Sequence, residues 1–352
     1  MKIGMLHLRL FILISLISVL SITGMFVYVI AVTMNPTSVG EIEDDSTTLL
    51  NAPREVVVVD IADQLIAIVT SRSDHGIEII DVSDPDEPTS LGRCADGDAS
   101  CGAEVLQDPW GIETYTKDGS TYAVVTSNDD KSIEIIDVTT PASPESVGRV
   151  QDTTYLNLAT FLKITTIGDS TYAVVASSGT KTTSSHVTMV DITDPANPQV
   201  GGSLTDTTSI LLKQPKSIDV YTVDASTYAV VASYADDGIV IVDISDPNAL
   251  THVANFGDTD SSCSDDGGHS HGNCELNGAT GLEIFSIGSS TYVVVTSRAD
   301  NGVQIIDITT PSSPDAVGQV EDDATLLVND PRGVDVFSIG TSTYVLASDC
   351  GG

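Results

Sequence analysis

The stretch that decides the fold is Ser120-Thr121-Tyr122-Ala123-Val124-Val125, followed after a turn by Ile133-Glu134-Ile135-Ile136-Asp137. Its opening string recurs as Ser170-Thr171-Tyr172, Ser226-Thr227-Tyr228, Ser290-Thr291-Tyr292 and Ser342-Thr343-Tyr344, each copy leading into an apolar run. Leu65-Ile66-Ala67-Ile68-Val69 is an earlier, diverged copy. An Ile-Ile-Asp-Val-type string follows the first five copies, and its Asp falls at Asp81, Asp137, Asp191, Asp243 and Asp307, a nearly even spacing. Phase kept over that length marks a repeat architecture, and the repeat has to be read before any single motif.

Each unit carries four strand-like runs. In the second they are Gly111–Thr116, Thr121–Ser127, Ser132–Val138 and Ser146–Asp152. The turns between them, Lys117-Asp118-Gly119, Asn128-Asp129-Asp130 and Thr140-Pro141-Ala142-Ser143-Pro144, hold the residues that tolerate tight backbone geometry. Continuous apolar runs such as Ala229-Val230-Val231 suit strands covered on both faces. Helical periodicity is absent beyond residue 35. Four short strands per unit predict an all-β chain, a β-propeller whose blades stack radially. A β-helix needs a much shorter repeat, and a sandwich does not repeat in sequence.

Ile239-Val240-Ile241-Val242-Asp243-Ile244-Ser245-Asp246-Pro247 resembles the signature of LVIVD-repeat proteins, a group of cell-surface β-propellers. Ile77–Pro85, Ile133–Pro141, Val187–Pro195 and Val303–Pro311 are weaker copies, so the resemblance runs over residues 36–352. It implies an extracytoplasmic location and a binding or adhesive role. No single activity goes with it.

Ser38-Val39-Gly40-Glu41-Ile42-Glu43-Asp44-Asp45 matches Ala316-Val317-Gly318-Gln319-Val320-Glu321-Asp322-Asp323, a fourth strand. The repeat region thus opens on a fourth strand, gives five complete units, and ends after two strands of a sixth. The expectation is a split last blade completed by the N-terminal strand. Its third strand is then missing, which suggests a chain continuing past Gly352, with a partner there for Cys350.

Ahead of the repeats, the chain from Leu10 to Met34 is uncharged throughout, with Lys2, His7 and Arg9 before it. At about 1.5 Å per residue that length crosses a hydrocarbon core of roughly 30 Å. The organisation expected is a cytoplasmic segment 1–9, a transmembrane signal-anchor or cleaved signal helix over 10–34, and a repeat domain over 35–352. The length and the poor cleavage flank Ile30-Ala31-Val32-Thr33-Met34 favour the anchor. Glu41, Glu43, Asp44 and Asp45 follow, so the positive-inside rule exports the C-terminal part. A secreted form follows if the segment is cleaved.

Fourteen basic against 50 acidic side chains give a formal charge of 14 − 50 = −36. Such a charge excludes electrostatic attraction to nucleic acid or to an anionic membrane surface. An apolar fraction of 41% excludes a wholly disordered acidic tail.

Aligned first strands put Val57, Glu113, Lys163, Asp219, Glu283 and Asp335 in one column. These strands would line a central channel, where Glu113, Asp219, Glu283 and Asp335 could hold a hard cation such as Ca²⁺. They could equally face channel water, with Lys163 neutralising part of the charge. A second column, Asp74, Asp130, Asp236 and Asp300, is turn chemistry, as is the Asp of each Ile-Ile-Asp string. Two insertions between blades carry Cys94 with Cys101 and Cys263 with Cys274. Close cysteines in surface loops of an exported protein form local disulfides most simply. The second loop also holds His269 and His271, so a zinc or copper site is its alternative, and Asp258 and Asp260 add oxygen ligands for Ca²⁺.

No phosphate loop, nucleophile elbow or His-Glu-x-x-His string occurs, and no catalytic residue is assigned. The sequence therefore predicts a non-catalytic interaction or adhesion module, exported and anchored or secreted, with Ca²⁺ as a supporting ion. Its partner would be a surface protein, a glycan or an envelope layer. The competing reading is an extracellular metal-dependent hydrolase or lactonase with its ion in the channel.

Overall fold

In a computed structural model the described residues are 40–348, except 46, 180–183, 259–273, 323–327 and 341. Four short strands ahead of residue 40 are described as well. Five four-stranded antiparallel sheets follow one another, each with its strands in sequence order. The first is Pro53–Ile61, Gln64–Ser71, Gly76–Asp81 and Thr89–Ala95, and the second Pro109–Lys117, Ser120–Ser127, Ser132–Asp137 and Glu145–Gln151. The third is Ala159–Ile167, Ser170–Ser177, His186–Asp191 and Gln199–Thr205. Pro215–Val223, Ser226–Ser233, Gly238–Asp243 and Thr251–Gly257 make the fourth. Ala279–Ile287, Ser290–Ser297, Gly302–Asp307 and Asp315–Glu321 make the fifth. First and second strands meet through two-residue turns, and Ala62-Asp63 and Asp118-Gly119 have positive φ at both positions, the geometry that matches strand twist.

A sixth sheet holds Val334–Ile339 and Ser342–Ala347, to which Met25–Tyr28 adds in parallel and Leu20–Ile22 beyond it. The helix expected over 10–34 is not supported. Most of that segment lies outside the described residues, and the described parts, with Phe11–Ile12 and Val32–Thr33, are strands. Among the described residues no helix is long and apolar enough to cross a membrane. The physical alternative to a helix is visible in the pairing: the Val- and Tyr-containing run Met25–Tyr28 is β-prone and fills the open edge of Ser342–Ala347.

Second and third strands are buried on both faces, as in Ser132–Asp137, where all but Asp137 are buried. The core is therefore divided into layers between sheets. Ile66, Ile68, Ile77 and Ile79 of the first sheet pack on Ile112, Ala123, Val125 and Ile136 of the second. Equivalent layers join second to third, third to fourth, fourth to fifth and fifth to sixth. On the far side of the first sheet Val56 and Val58 are 56% and 53% exposed.

Each fourth strand of the first, second, fourth and fifth sheets carries a β-bulge at one register, between Ile79 and Ile80, Ile135 and Ile136, Ile241 and Val242, and Ile305 and Ile306. Glycine stands opposite the residue before three of these bulges, and at two of them, Gly92 and Gly148, the Asp-x-x-x-Pro corner of the next sheet comes close enough to require it. A Cβ on Gly92 would lie 2.3 Å from the Pro141 carbonyl oxygen, and one on Gly148 2.1 Å from that of Pro195. Gly40 stands in the same relation to Pro85, at 2.3 Å. The expectation that residues 38–45 supply the fourth strand of the last blade is corrected here: residues 40–45 belong to no sheet, although Gly40 lies against the first sheet's corner, and the sixth sheet is completed by Met25–Tyr28 and Leu20–Ile22.

Four of the connections leading into first strands are pinned in the same way. An Asp side chain accepts a backbone N–H further on: Asp44 from Leu50, Asp96 from Leu106, Asp258 from Leu276 and Asp322 from Val328, at 3.0–3.4 Å. The intervals are 6, 10, 18 and 6 residues, so in sequence the two cysteine-bearing insertions fall between anchors that the shorter connections share.

Candidate functional site: the axial carboxylates and the channel mouth

First strands of successive sheets contact one another from sheet one to sheet six, which makes them the innermost strands. Of their aligned column, Glu113, Asp219 and Glu283 lie around Lys163, and Asp335 lies near Glu283. Lys163 Nζ donates to Glu113 Oε1 at 2.7 Å. Asp219 accepts the N–H of Ile284 in the next sheet at 2.9 Å and its neighbour Val220's at 2.8 Å. Asp335 accepts the N–H of Val336 at 2.8 Å. Glu55 belongs to the group too, taking the N–H of Ile112 in the second sheet at 3.1 Å. Its omission from the aligned column has a simple cause. Val57 occupies the column, and Glu55, two residues earlier, points to the same side of the strand.

Burial raises Glu55 to about 7, partly offset by the Ile112 N–H and reinforced by Glu113. Glu283 also rises to about 7, first through burial and then through Asp219, with Lys163 opposing. Burial likewise lifts Asp219 above the usual carboxylate range. For Lys163 burial pulls downwards, but Glu113, Asp219 and Glu283 together outweigh it and hold the ammonium above its ordinary value. The cluster is a set of acids gathered round one cation, and two of them staple one sheet to the next.

That arrangement departs from the expected cation site. Among the described residues no three His, Cys, Asp or Glu side chains form a metal-ligand group. Glu113, Asp219, Glu283 and Asp335 surround the axis, but Lys163 occupies the position of the neutralising charge and backbone N–H groups take up oxygens of Asp219 and Asp335. The turn column is not confined to turn chemistry, because each of its carboxylates bonds a backbone N–H 23 residues earlier in the chain. Asp74, Asp130, Asp236 and Asp300 accept the N–H of Asn51, Gln107, Lys213 and Asn277 at 2.8–2.9 Å, tying each second hairpin to the connection before its first strand. Each Ile-Ile-Asp residue caps its own turn, as Asp137 does by accepting Thr139 N–H at 2.9 Å.

Cys94 and Cys101 form a disulfide. Cys274 is disulfide-bonded as well, and Cys263, the partner expected for it, lies outside the described residues. So do Asp260, His269 and His271. Asp258 is described, and its carboxylate serves as the anchor for Leu276 N–H.

Besides Glu55, two features escape the sequence reading. One is a buried acid pair: Glu275 is 3% exposed and hydrogen-bonded to Glu321. Its carboxyl is raised far above the usual range by burial and by that neighbour. The corresponding residues of other units are Leu49, Val105 and Leu211, so the signal was a charged residue in an apolar column. The other is a set of cations where first strands begin and second strands end. Arg54 stacks on Trp110 at 4.3 Å, and Arg72 pairs with Asp108 at 2.5 Å. Lys216 sits 6.0 Å from the Tyr234 ring, with Arg298 and Arg332 both paired to Asp330.

The LVIVD repeat model matches residues 71–96, 226–258 and 289–322, which are the first, fourth and fifth units. No curated protein matches the chain. Among solved structures, a protein from Lactobacillus plantarum aligns with a TM-score of 0.57 and 15% identity, over 82% of this chain and 76% of that one. A functionally unknown protein from Desulfotomaculum acetoxidans gives 0.53 and 13%, over 81% and 78%. The periplasmic gluconolactonase of Pseudomonas aeruginosa gives 0.54 and 9%, over 82% and 72%. At these identities the likeness is one of fold. The chain carries LVIVD repeats, built into an all-β, propeller-like succession of four-stranded sheets.

Proposed function

We propose that the chain is an extracytoplasmic interaction and adhesion module that performs no chemistry of its own. The observation that carries this reading is the Lys163–Glu113 ion pair at the axis, where a metal-dependent enzyme would need its ion. The Cys94–Cys101 disulfide supports an oxidising compartment. Lys2 and Arg9, placed before the apolar segment and followed by acids, support export of the repeats. In this reading the faces bearing the cysteine loops meet a surface protein, a glycan or an envelope layer, and Ca²⁺ is a supporting ion.

One observation favours the hydrolase or lactonase reading: Glu55 and Glu283, both raised to about 7, have the proton affinity a general acid or base needs. The two readings separate in one experiment. Hydrolysis of a panel of sugar lactones is followed with the full chain in Ca²⁺, Mn²⁺ or Zn²⁺. The module reading expects no metal-dependent turnover, and a rise in melting temperature as the only effect of Ca²⁺. Metal-dependent turnover that Glu283→Gln abolishes overturns it.

A further inference from the structure

The chain carries only 14 basic side chains against 50 acidic ones. Three of the 14 nevertheless converge at one end of the innermost strands. Lys216 lies at the start of the fourth sheet's first strand, Arg298 follows the fifth sheet's second strand, and Arg332 precedes the sixth sheet. Asp330 holds both guanidinium groups in place, accepting Arg332 Nη2 at 2.9 Å and Arg298 Nε. Lys216 forms no ion pair among the described residues. Burial lowers its proton affinity, and repulsion from Arg298 and Arg332 lowers it further. Gathering like charges costs free energy that an anion seated among them would offset.

We propose that Lys216, Tyr234, Arg298 and Arg332 form a binding site for the carboxylate-bearing end of an acidic sugar. Each part of that chemistry has its counterpart. The guanidinium groups offer paired donors to a carboxylate, held in position by Asp330. Lys216 supplies a further donor. The half-buried Tyr234 ring, under Lys216, adds apolar surface next to the cations for the carbon skeleton of a sugar. The surrounding charge selects for size. A long polyanion laid over the surface would meet the carboxylates that make up the −36, whereas a single acidic residue entering end-on meets three cations against the one carboxylate of Asp330. The site lies about 10 Å along the strand from Asp219, so it is separate from the axial acids.

The proposal rests on the reading of the chain as an interaction module, for which it names a ligand class. Calorimetric titration of the full chain with sodium galacturonate, with a galacturonate trimer and with galactose tests it. Saturable binding of the uronates and none of galactose is expected. Lys216→Gln, which leaves the Asp330 pairs intact, is expected to weaken binding at least about tenfold with an unchanged melting temperature. Arg298→Gln is expected to weaken it by a similar factor, and 1 M NaCl to weaken it in every variant. Equal affinity for monomer and trimer means that the terminal residue is the ligand, whereas tighter trimer binding means that the surrounding acids do not exclude an extended anion and overturns the end-on site. Absence of uronate binding, or equal binding by Lys216→Gln, overturns the proposal while leaving the module reading standing. The lactonase experiment tests that reading separately.

Discussion

Replacing Lys163 by Met removes the one cation inside the axial acids while keeping most of the side-chain volume. In the native chain Lys163 pairs with Glu113, and its charge also opposes the upward shift of Glu55 and Glu283. Breaking a buried pair by removing one partner costs about 3–5 kcal/mol, and the Lys163 side chain is 36% exposed, so about 2–3 kcal/mol is the discounted figure near pH 8. The sign of the pH dependence follows from the two acids. Both have folded-state values near 7, above the ordinary 4.5, so their contribution is complete below about 4.5 and declines as pH rises through 7. Without Lys163 they hold their protons still more tightly, and the penalty for ionising them grows. At pH 5 both are largely protonated, and the loss should shrink to about 1 kcal/mol, the residue of the Glu113 pair. Denaturant unfolding at pH 5 and pH 8 measures the difference, and Lys163→Met with Glu113→Gln should recover part of the pH 8 loss. An equal loss at both pH values, with no recovery in the double variant, would refute the account of the axis as acids held by one cation.

Glu275→Leu, which restores the apolar residue found at Leu49 and Leu211, should stabilise the chain at pH 8 by about 1–3 kcal/mol. Because a raised carboxyl withholds stability only above its unfolded value, the gain should shrink towards pH 4, as unfolding curves at the two pH values would register. Gly148→Ala should cost at least about 1–3 kcal/mol, since its methyl would stand 2.1 Å from the Pro195 carbonyl oxygen and the two sheets would have to part. Gly119→Ala, in a turn with open space, serves as the comparison for strain without collision. Raising NaCl from 0.05 to 1 M should raise the melting temperature by relieving self-repulsion of the −36 charge; a flat melting temperature would mean the acids are already compensated locally.

Much of the fold was legible because the repeat is written in the residues that touch most neighbours. The Ser-Thr-Tyr and Ile-Ile-Asp strings are the second and third strands, buried on both faces, so their composition is held to β-branched and small apolar residues. Gly40 was legible for a comparable reason, since only glycine fits beside the Pro85 carbonyl. The axial column was found by the same alignment, but its chemistry was not. Whether four carboxylates hold an ion or a lysine depends on distances between strands a whole repeat apart. Lys163 stood in the aligned column, yet only the 2.7 Å contact shows how it is used. Arg298 and Arg332 are well separated in sequence, Lys216 lies far before both, and nothing periodic joins them; Asp330 joins the two arginines in space. The expected helix finds no support in the described parts of its segment, because apolar length alone does not separate a helix from β-prone segments that can complete a sheet edge.

The pinned connections between sheets have a consequence for how such a chain can change. Asp44 reaches Leu50 across 6 residues, Asp96 reaches Leu106 across 10 and Asp258 reaches Leu276 across 18, yet all three deliver the chain to the next first strand through the same hydrogen bond. Lengthening a closed loop costs free energy only logarithmically, about 0.6 kcal/mol for each doubling. The clamp therefore separates the evolution of the loop from that of the sheets: a lineage can gain, lose or exchange a cassette between the Asp and its N–H without renegotiating a core. For the protein engineer the uninterrupted 44–50 and 322–328 connections are vacant sockets, where a foreign peptide can be displayed on a scaffold that already tolerates two such inserts.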